Sequence, residues 1–177
     1  MNGSRSLLLL AFAISTFVAA ACTGPGEVID EWETRSPVLA VRIRKFDETP
    51  KVMLSQYYFS FEVQDKQSHE WRRVMMWMVD DNISIQRQQV KFVTDSILYA
   101  FGNATYVVTT DAGKTWSKWD AKKALPSPEA YMIDRVLVSE DATGSMVVRR
   151  TTTENNGLAE LSTTDFGVHW MLKDGSS

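Results

Sequence analysis

The sequence has few of the residues on which recognisable binding and catalytic sites are built. Its 177 residues include one cysteine and two histidines, and acidic side chains outnumber basic ones to give a net charge of −3. A single cysteine excludes a disulfide within the chain, and no local cluster supplies the four ligands of a structural zinc site. Nucleic-acid binding needs a basic stripe, which is missing. We therefore expect no metal, no cofactor and no nucleic-acid partner.

Catalytic motifs of defined spacing are also missing. The chain contains no G-x-S-x-G elbow, no phosphate-binding loop and no dinucleotide fingerprint. A pair of carboxylates that meets only after folding would leave no trace in one dimension. On the motifs alone, we expect a protein that is not an enzyme.

The longest apolar run lies at the N-terminus, where residues 7–21 follow Arg5 and contain only Ser15 and Thr16 as polar residues. This run is shorter than the ~20 residues of a membrane-spanning helix. A charged start, an apolar run and small residues at its end are typical of a secretory signal. We predict that residues 1–21 are a signal peptide, and a transmembrane anchor is the alternative.

Cys22 directly follows Ala19, Ala20 and Ala21. Small residues before a single cysteine resemble a bacterial lipobox, which implies a lipid on the Cys22 thiol and a lipoprotein held on the bacterial envelope. Thr23 then favours the periplasmic face of the outer membrane. The alternative is an ordinary signal-peptidase cut at the same bond. We expect residues 22–36 to be a lipidated tether and residues 37–177 to form one β domain.

The rest of the chain is a series of short segments rich in β-branched and aromatic residues, separated by turn residues. Gly102 and Asn103 mark one hairpin between residues 97–101 and 104–108, because both accept the positive φ of tight turns. A short helix is expected at residues 121–125 or after Pro128. The fold class is therefore all-β. The segments are 38–44, 52–63, 71–79, 90–94, 97–101, 104–109, 116–119, 132–138, 146–152, 158–163 and 170–172.

One eight-residue pattern, T-x-D-x-G-x-x-W, occurs twice, at residues 109–116 and 163–170. In such a turn the Asp can accept backbone N–H bonds, the Gly can adopt positive φ, and the Trp can cover the turn. Every fixed residue thus has a structural use, and we interpret both copies as scaffold. The fixed residues are Thr109, Asp111, Gly113, Trp116, Thr163, Asp165, Gly167 and Trp170.

This pattern resembles the Asp-box, or BNR repeat, of sialidases, other glycosidases, photosystem assembly factors and secreted β-propellers. The resemblance implies a structural β-hairpin that lies away from any active site. It also implies antiparallel sheets, either as a truncated propeller of about three blades or as a β-sandwich. The arginine triad and the other catalytic residues of sialidases do not carry over.

A looser resemblance is to small lipoproteins that protect against lipase effectors of type VI secretion. They share a lipobox, a β-rich domain of this size and, in some, a similar turn, here residues 101–116. The resulting expectation is a periplasmic immunity protein that binds a secreted phospholipase. The alternatives are a carbohydrate-binding or glycosidase-related module, and an assembly factor for a membrane complex.

Residues 74–79 read V-M-M-W-M-V, so both faces of this segment are apolar. One interpretation is a central strand buried on both sides. The other is an adaptable surface for a protein partner. For that second interpretation the candidate contact residues are Trp71, Arg72, Met75 and Trp77.

Overall fold

The computed structural model describes residues 26–46, 56–64, 66, 69–80, 86–125, 131–150 and 157–173. Within them the chain forms three four-stranded antiparallel sheets, which confirms the all-β prediction. The predicted signal peptide and Cys22 lie outside the described residues. Each sheet is a meander of four consecutive strands, so the chain completes one sheet before it begins the next.

The N-terminal sheet contains β1 Val28–Arg35, β2 Ala40–Phe46, β3 Gln56–Gln64 and β4 Trp71–Asp80. The middle sheet contains β5 Val90–Phe92, β6 Leu98–Gly102, β7 Thr105–Thr109 and β8 Ser117–Asp120. The C-terminal sheet contains β9 Tyr131–Val138, β10 Gly144–Arg150, β11 Leu158–Thr163 and β12 Met171–Leu172. A 3₁₀ turn, Arg87–Gln89, precedes β5, and the short helix α1, Ala121–Ala124, follows β8.

The middle sheet is covered on both faces. Along β6, Leu98 and Ala100 face the N-terminal sheet, whereas Tyr99 and Phe101 face the C-terminal sheet. This alternation follows from the two-residue period of a strand. It produces two apolar cores, one on each side of the middle sheet, and the three sheets form a sandwich-like stack.

The expected tether, residues 22–36, overlaps the first strand of the fold. Residues 28–35 are not a free linker, because β1 pairs with β2 along its length. Trp32 lies opposite Ile43 and packs against the core between the N-terminal and middle sheets. The boundary of the β domain therefore moves from residue 37 towards the N-terminus, to Val28.

The apolar segment in β4 is also not a central strand, since β4 is last in the hydrogen-bonding order of its sheet. Its register with β3 shifts opposite Phe61 and Glu62. A β-bulge of this kind turns consecutive side chains to the same side. As a result, Val74 and Met75 both pack against the core. The bulge thus explains the first two residues of the apolar run, Val74 and Met75, in an edge strand.

The hairpin between β6 and β7 forms as predicted, with the turn one residue later than expected. Gly102 pairs with Thr105 and belongs to β6, while Asn103 has the positive φ of 51°. The expected short helix is present as α1. The carboxylate of Asp120 accepts a hydrogen bond from the backbone N–H of Lys122 and caps this helix.

Candidate functional site

Residues 109–116, here called the first turn motif, connect β7 to β8. The Thr109 hydroxyl accepts a hydrogen bond from the N–H of Gly113 at 2.9 Å and donates one to Asp111 Oδ1 at 2.9 Å. Asp111 accepts further bonds from the backbone N–H and the hydroxyl of Thr115, at 2.9 and 2.6 Å. Burial opposes these bonds only partly, so together they hold the pKa of Asp111 below its ordinary value.

Residues 163–170, the second turn motif, connect β11 to β12 with the same bonds. Thr163 accepts from the N–H of Gly167 at 3.0 Å and donates to Asp165 at 2.7 Å. The Asp165 carboxylate also meets the backbone N–H of His169 at 3.0 Å and its Nδ1 at 2.7 Å. Burial would raise the pKa of Asp165, but these bonds outweigh it and lower the pKa to about 2. Both carboxylates are therefore engaged in turn hydrogen bonds.

Each turn motif also contacts the preceding sheet. A Cβ on Gly113 would lie 2.8 Å from Cδ1 of Leu39, in the turn between β1 and β2 of the N-terminal sheet. A Cβ on Gly167 would lie 2.5 Å from the hydroxyl of Tyr106 in the middle sheet. Both glycines have positive φ, 83° and 87°. Positive φ favours glycine at both positions, and at Gly167 the rings of Tyr106 and Trp170 also leave no space for a Cβ.

The tryptophans that end the motifs make equivalent contacts. Trp116 packs edge-on against Phe61, with ring centroids 4.9 Å apart, and Trp170 packs edge-on against Tyr106 at 5.4 Å. Phe61 and Tyr106 each lie three residues before the last residue of the third strand of their sheets. Each turn motif therefore joins two neighbouring sheets. The contact regions around Trp116 and Phe61 and around Trp170 and Tyr106, here called the two seams, have the same arrangement of residues.

The N-terminal sheet also has a tryptophan after its third strand, at a spacing that sequence reasoning missed. Seven positions separate Gln64, the last residue of β3, from Trp71, the same spacing as from Thr109 to Trp116. Only the tryptophan of the pattern is present here. The positions of its Thr, Asp and Gly are occupied by Gln64, Lys66 and Ser68, respectively. Comparing the tryptophan positions alone would have found this spacing.

The four candidate contact residues do not lie on one surface. Trp71 and Arg72 alternate across the start of β4, so they face opposite sides of the sheet. Met75 packs against the core. Trp77 is part of β4, and the structure does not describe its side chain. Trp71 is half-buried and Arg72 is exposed, so both remain candidate contact groups.

Trp71 belongs to a polar cluster on the outer face of the N-terminal sheet. The guanidinium carbon of Arg42 lies 4.3 Å from the centroid of the Trp71 ring. Arg42 also donates two hydrogen bonds to Glu62 Oε2, at 3.0 and 2.5 Å, and Ser60 donates to Glu62 Oε1 at 2.9 Å. Arg44 extends the cluster, since its Nε lies 3.0 Å from the carboxylate of Glu31.

Glu62 is the buried centre of this cluster, with only 4% of its surface exposed. Burial acts to raise the pKa of Glu62, but the hydrogen bonds from Arg42 and Ser60 and the charges of Arg42 and Arg44 together outweigh it, so the net shift is downward. Glu62 therefore stays ionised and fixes Arg42 beneath Trp71. Sequence reasoning missed this residue, because a Glu in a strand is ordinarily solvent-facing.

Arg72 lines a cleft where the first turn motif meets the N-terminal sheet. One guanidinium nitrogen of Arg72 donates to the carbonyl oxygen of Gly113 at 3.1 Å. The cleft has a volume of about 440 Å³. Its lining residues are Val38, Leu39, Val63, Gln64, Lys66, Arg72, Ala112, Gly113 and Lys114. Of these, sequence reasoning had singled out only Arg72 and Gly113.

In the described part of the chain, no group of three or more His, Cys, Asp or Glu side chains is placed to hold a metal ion. The same residues contain no helix long and apolar enough to cross a membrane. His169 is exposed and pairs with Asp165 within the second turn motif. Comparison of the chain with protein-family models, curated proteins and solved structures found no match.

Proposed function

We propose that this protein is a lipid-anchored protein of the bacterial envelope that acts without catalysis, by binding another protein. In its most specific form, it is an immunity lipoprotein that neutralises a phospholipase effector of type VI secretion. The lipid would be carried on Cys22, and the β domain would face the periplasm. A soluble partner that reaches the outer membrane from the periplasm would then meet the domain directly.

The observation that carries this proposal is the fixed Arg42–Trp71 pair. Tryptophan and arginine are the residues most enriched at interface positions that dominate binding energy. Arg42 is held by two bonds to buried Glu62, so a partner would not have to order this side chain on binding. Rotamer-rich side chains cost about 0.5–1.5 kcal/mol each when a complex orders them.

The hydrogen bonds of the turn motifs also support the proposal of a protein that acts without catalysis. Asp111 and Asp165, the most prominent carboxylates of the sequence pattern, each accept several bonds within their own turns. Their lowered pKa values keep them ionised at neutral pH, which does not suit a general acid. The motifs therefore serve the scaffold on which the binding surface is built.

The test has two parts. Co-expression of the chain with a phospholipase effector of type VI secretion should protect the cells, and the two purified proteins should bind in calorimetric titration. Trp71→Ala should weaken binding, whereas Trp32→Phe, a change on the opposite face, serves as the control. No protection and no binding by the wild type would refute the proposal. Binding to a glycan array without binding to protein would favour the carbohydrate alternative.

Lipid attachment is tested separately. Cys22→Ser should abolish incorporation of radiolabelled palmitate and release the protein from the membrane fraction. If the wild type incorporates no palmitate, the anchor is wrong, and the protein-binding proposal would then apply to a soluble exported protein.

A further inference from the structure

The two seams between sheets share one design but differ at two positions. At the seam between the middle and C-terminal sheets, the hydroxyl of Tyr106 donates to the carbonyl oxygen of Phe166 at 2.7 Å, and Phe166 packs against the core. At the other seam, Phe61 takes the place of Tyr106 and Ala112 takes the place of Phe166. A hydroxyl and an aromatic ring are thus both missing from the seam beside the N-terminal sheet. The cleft lies at this position.

The lining of the cleft is divided into an apolar floor and a basic rim. Val38, Leu39 and Val63 supply the apolar part. The rim carries Lys66, Arg72 and Lys114, and no Asp or Glu lines the cleft among the described residues. This local charge contrasts with the whole chain, which carries a net charge of −3. The cleft is therefore a positive site on an acidic protein.

Two of the basic groups are already held in place. Lys66 Nζ donates to the carbonyl oxygen of Pro37 at 2.8 Å, and Arg72 donates to that of Gly113 at 3.1 Å. Both acceptors are neutral carbonyls, so neither cation is neutralised by these bonds. A guanidinium has five N–H donors and an ammonium has three, so with respect to the described residues both groups keep donors that can bind an anion.

We propose that this cleft binds a carboxylate side chain of the protein partner, presented beside an aliphatic side chain. This inference rests on the proposed function and specifies the chemistry of the contact. The carboxylate meets the basic rim, and its aliphatic neighbour packs on Val63 and Leu39. A cleft of about 440 Å³ lies within the usual size of small-ligand pockets, roughly 300–1,000 Å³, which suits two side chains. An uncharged sugar would leave the rim cations without a counter-charge.

The probe for this inference is a pair of short capped peptides, acetyl-Val-Asp-Leu-amide and its Asn counterpart, titrated into the mature chain and followed by two-dimensional NMR. The Asp peptide should shift the backbone amides of Ala112 and Gly113 at millimolar concentration, and the Asn peptide should bind about three- to ten-fold more weakly. Equal shifts from both peptides, or none from either, would overturn the inference.

Variants locate the effect in the cleft. Lys114→Gln and Arg72→Gln should each weaken the Asp peptide about three- to ten-fold. Lys118→Gln, an equally exposed lysine on β8 outside the cleft, should leave its affinity unchanged. The side chain of Lys114 is solvent-exposed, so its variant remains informative if Arg72→Gln fails to fold. An equal effect of Lys118→Gln would show nonspecific charge attraction and contradict the proposal.

The same variants separate this inference from the proposed function. If the phospholipase partner binds and Lys114→Gln and Lys118→Gln behave alike in that complex, the cleft is wrong while the protein-binding function stands. If the Asp peptide binds in the cleft but no protein partner binds the chain, the cleft chemistry stands and the proposed function fails.

Discussion

Tyr106 of the middle sheet donates its hydroxyl proton to the carbonyl oxygen of Phe166 in the second turn motif, at 2.7 Å. The ring of Tyr106 is buried, and burial raises its pKa far above the ordinary value. The phenol is therefore neutral and remains a donor across the whole physiological range. The second turn motif is thus fastened to the neighbouring sheet as well as to its own strands.

Tyr106→Phe should remove this bond and leave the Phe166 carbonyl without its partner. We expect the free energy of unfolding to fall by about 1–3 kcal/mol, the usual cost of an unsatisfied buried polar group. Urea denaturation measures it. Tyr58→Phe, which removes the hydroxyl of a half-buried tyrosine on β3, is the control and should have a smaller effect. An unchanged midpoint for Tyr106→Phe would show that the bond contributes nothing to the seam.

The two motif glycines should respond differently to alanine. At Gly167 a new Cβ would meet the rigid rings of Tyr106 and Trp170, whereas at Gly113 it would meet the flexible end of Leu39. We expect Gly167→Ala to lower stability by about 1–3 kcal/mol more than Gly113→Ala, which is the range for overpacking.

Gly157→Ala is the matched control for both glycine variants. Among the described residues, no atom lies within 4 Å of the position that a Cβ on Gly157 would take, and its φ is ordinary. Thermal unfolding of this variant should therefore shift little. Equal destabilisation by Gly113→Ala and Gly167→Ala would contradict the different packing of the two seams.

Glu62→Gln should test the polar cluster on the N-terminal sheet. The variant keeps the shape of the side chain but leaves Arg42 without its buried counter-charge, so we expect a loss of about 2–4 kcal/mol. Glu33→Gln removes an exposed pair with Arg35 and should cost less than about 1 kcal/mol. Similar losses for both variants, measured by urea denaturation, would show that burial of Glu62 adds nothing.

Acid should reduce the free energy of unfolding that the Asp165 carboxylate contributes through the second turn motif. The pKa of Asp165 falls from 3.8 to about 2 on folding. A lowered folded-state pKa contributes stability that is present above the unfolded value and is lost as the pH falls towards the folded one. The stability difference between the wild type and Asp165→Asn should therefore shrink between about pH 5 and about pH 2. A difference that stays constant over this window would show that the carboxylate charge is not involved.

The sequence predicted the parts of the fold that depend on local chemistry. Positive φ at the motif glycines and the hairpin near Asn103 could be read directly, because these turns need particular residues. The position of β4 at the edge of its sheet could not be predicted from the sequence. A bulge opposite Phe61 places Val74 and Met75 on one side, and a one-dimensional pattern reads that as burial on both faces.

The contacts of the proposed binding residues could not be predicted from the sequence. Trp71 and Arg72 are adjacent in the chain, and nothing in their order indicates that one stacks on Arg42 while the other lines a cleft. Glu62 carried no signal, because Arg42 is twenty residues away along the chain. Long-range pairing between strands sets all of these contacts.

We propose that the turn motifs are scaffold and that the partner binds the N-terminal sheet and its seam with the middle sheet. The most direct test is the calorimetric dissociation constant of the proposed phospholipase partner for folded Asp111→Ala, Asp165→Ala, Trp71→Ala and Arg72→Gln. The two Asp variants should lose about 1–3 kcal/mol of stability and keep wild-type affinity, while the other two bind more weakly. An Asp variant of full stability that no longer binds would contradict the account.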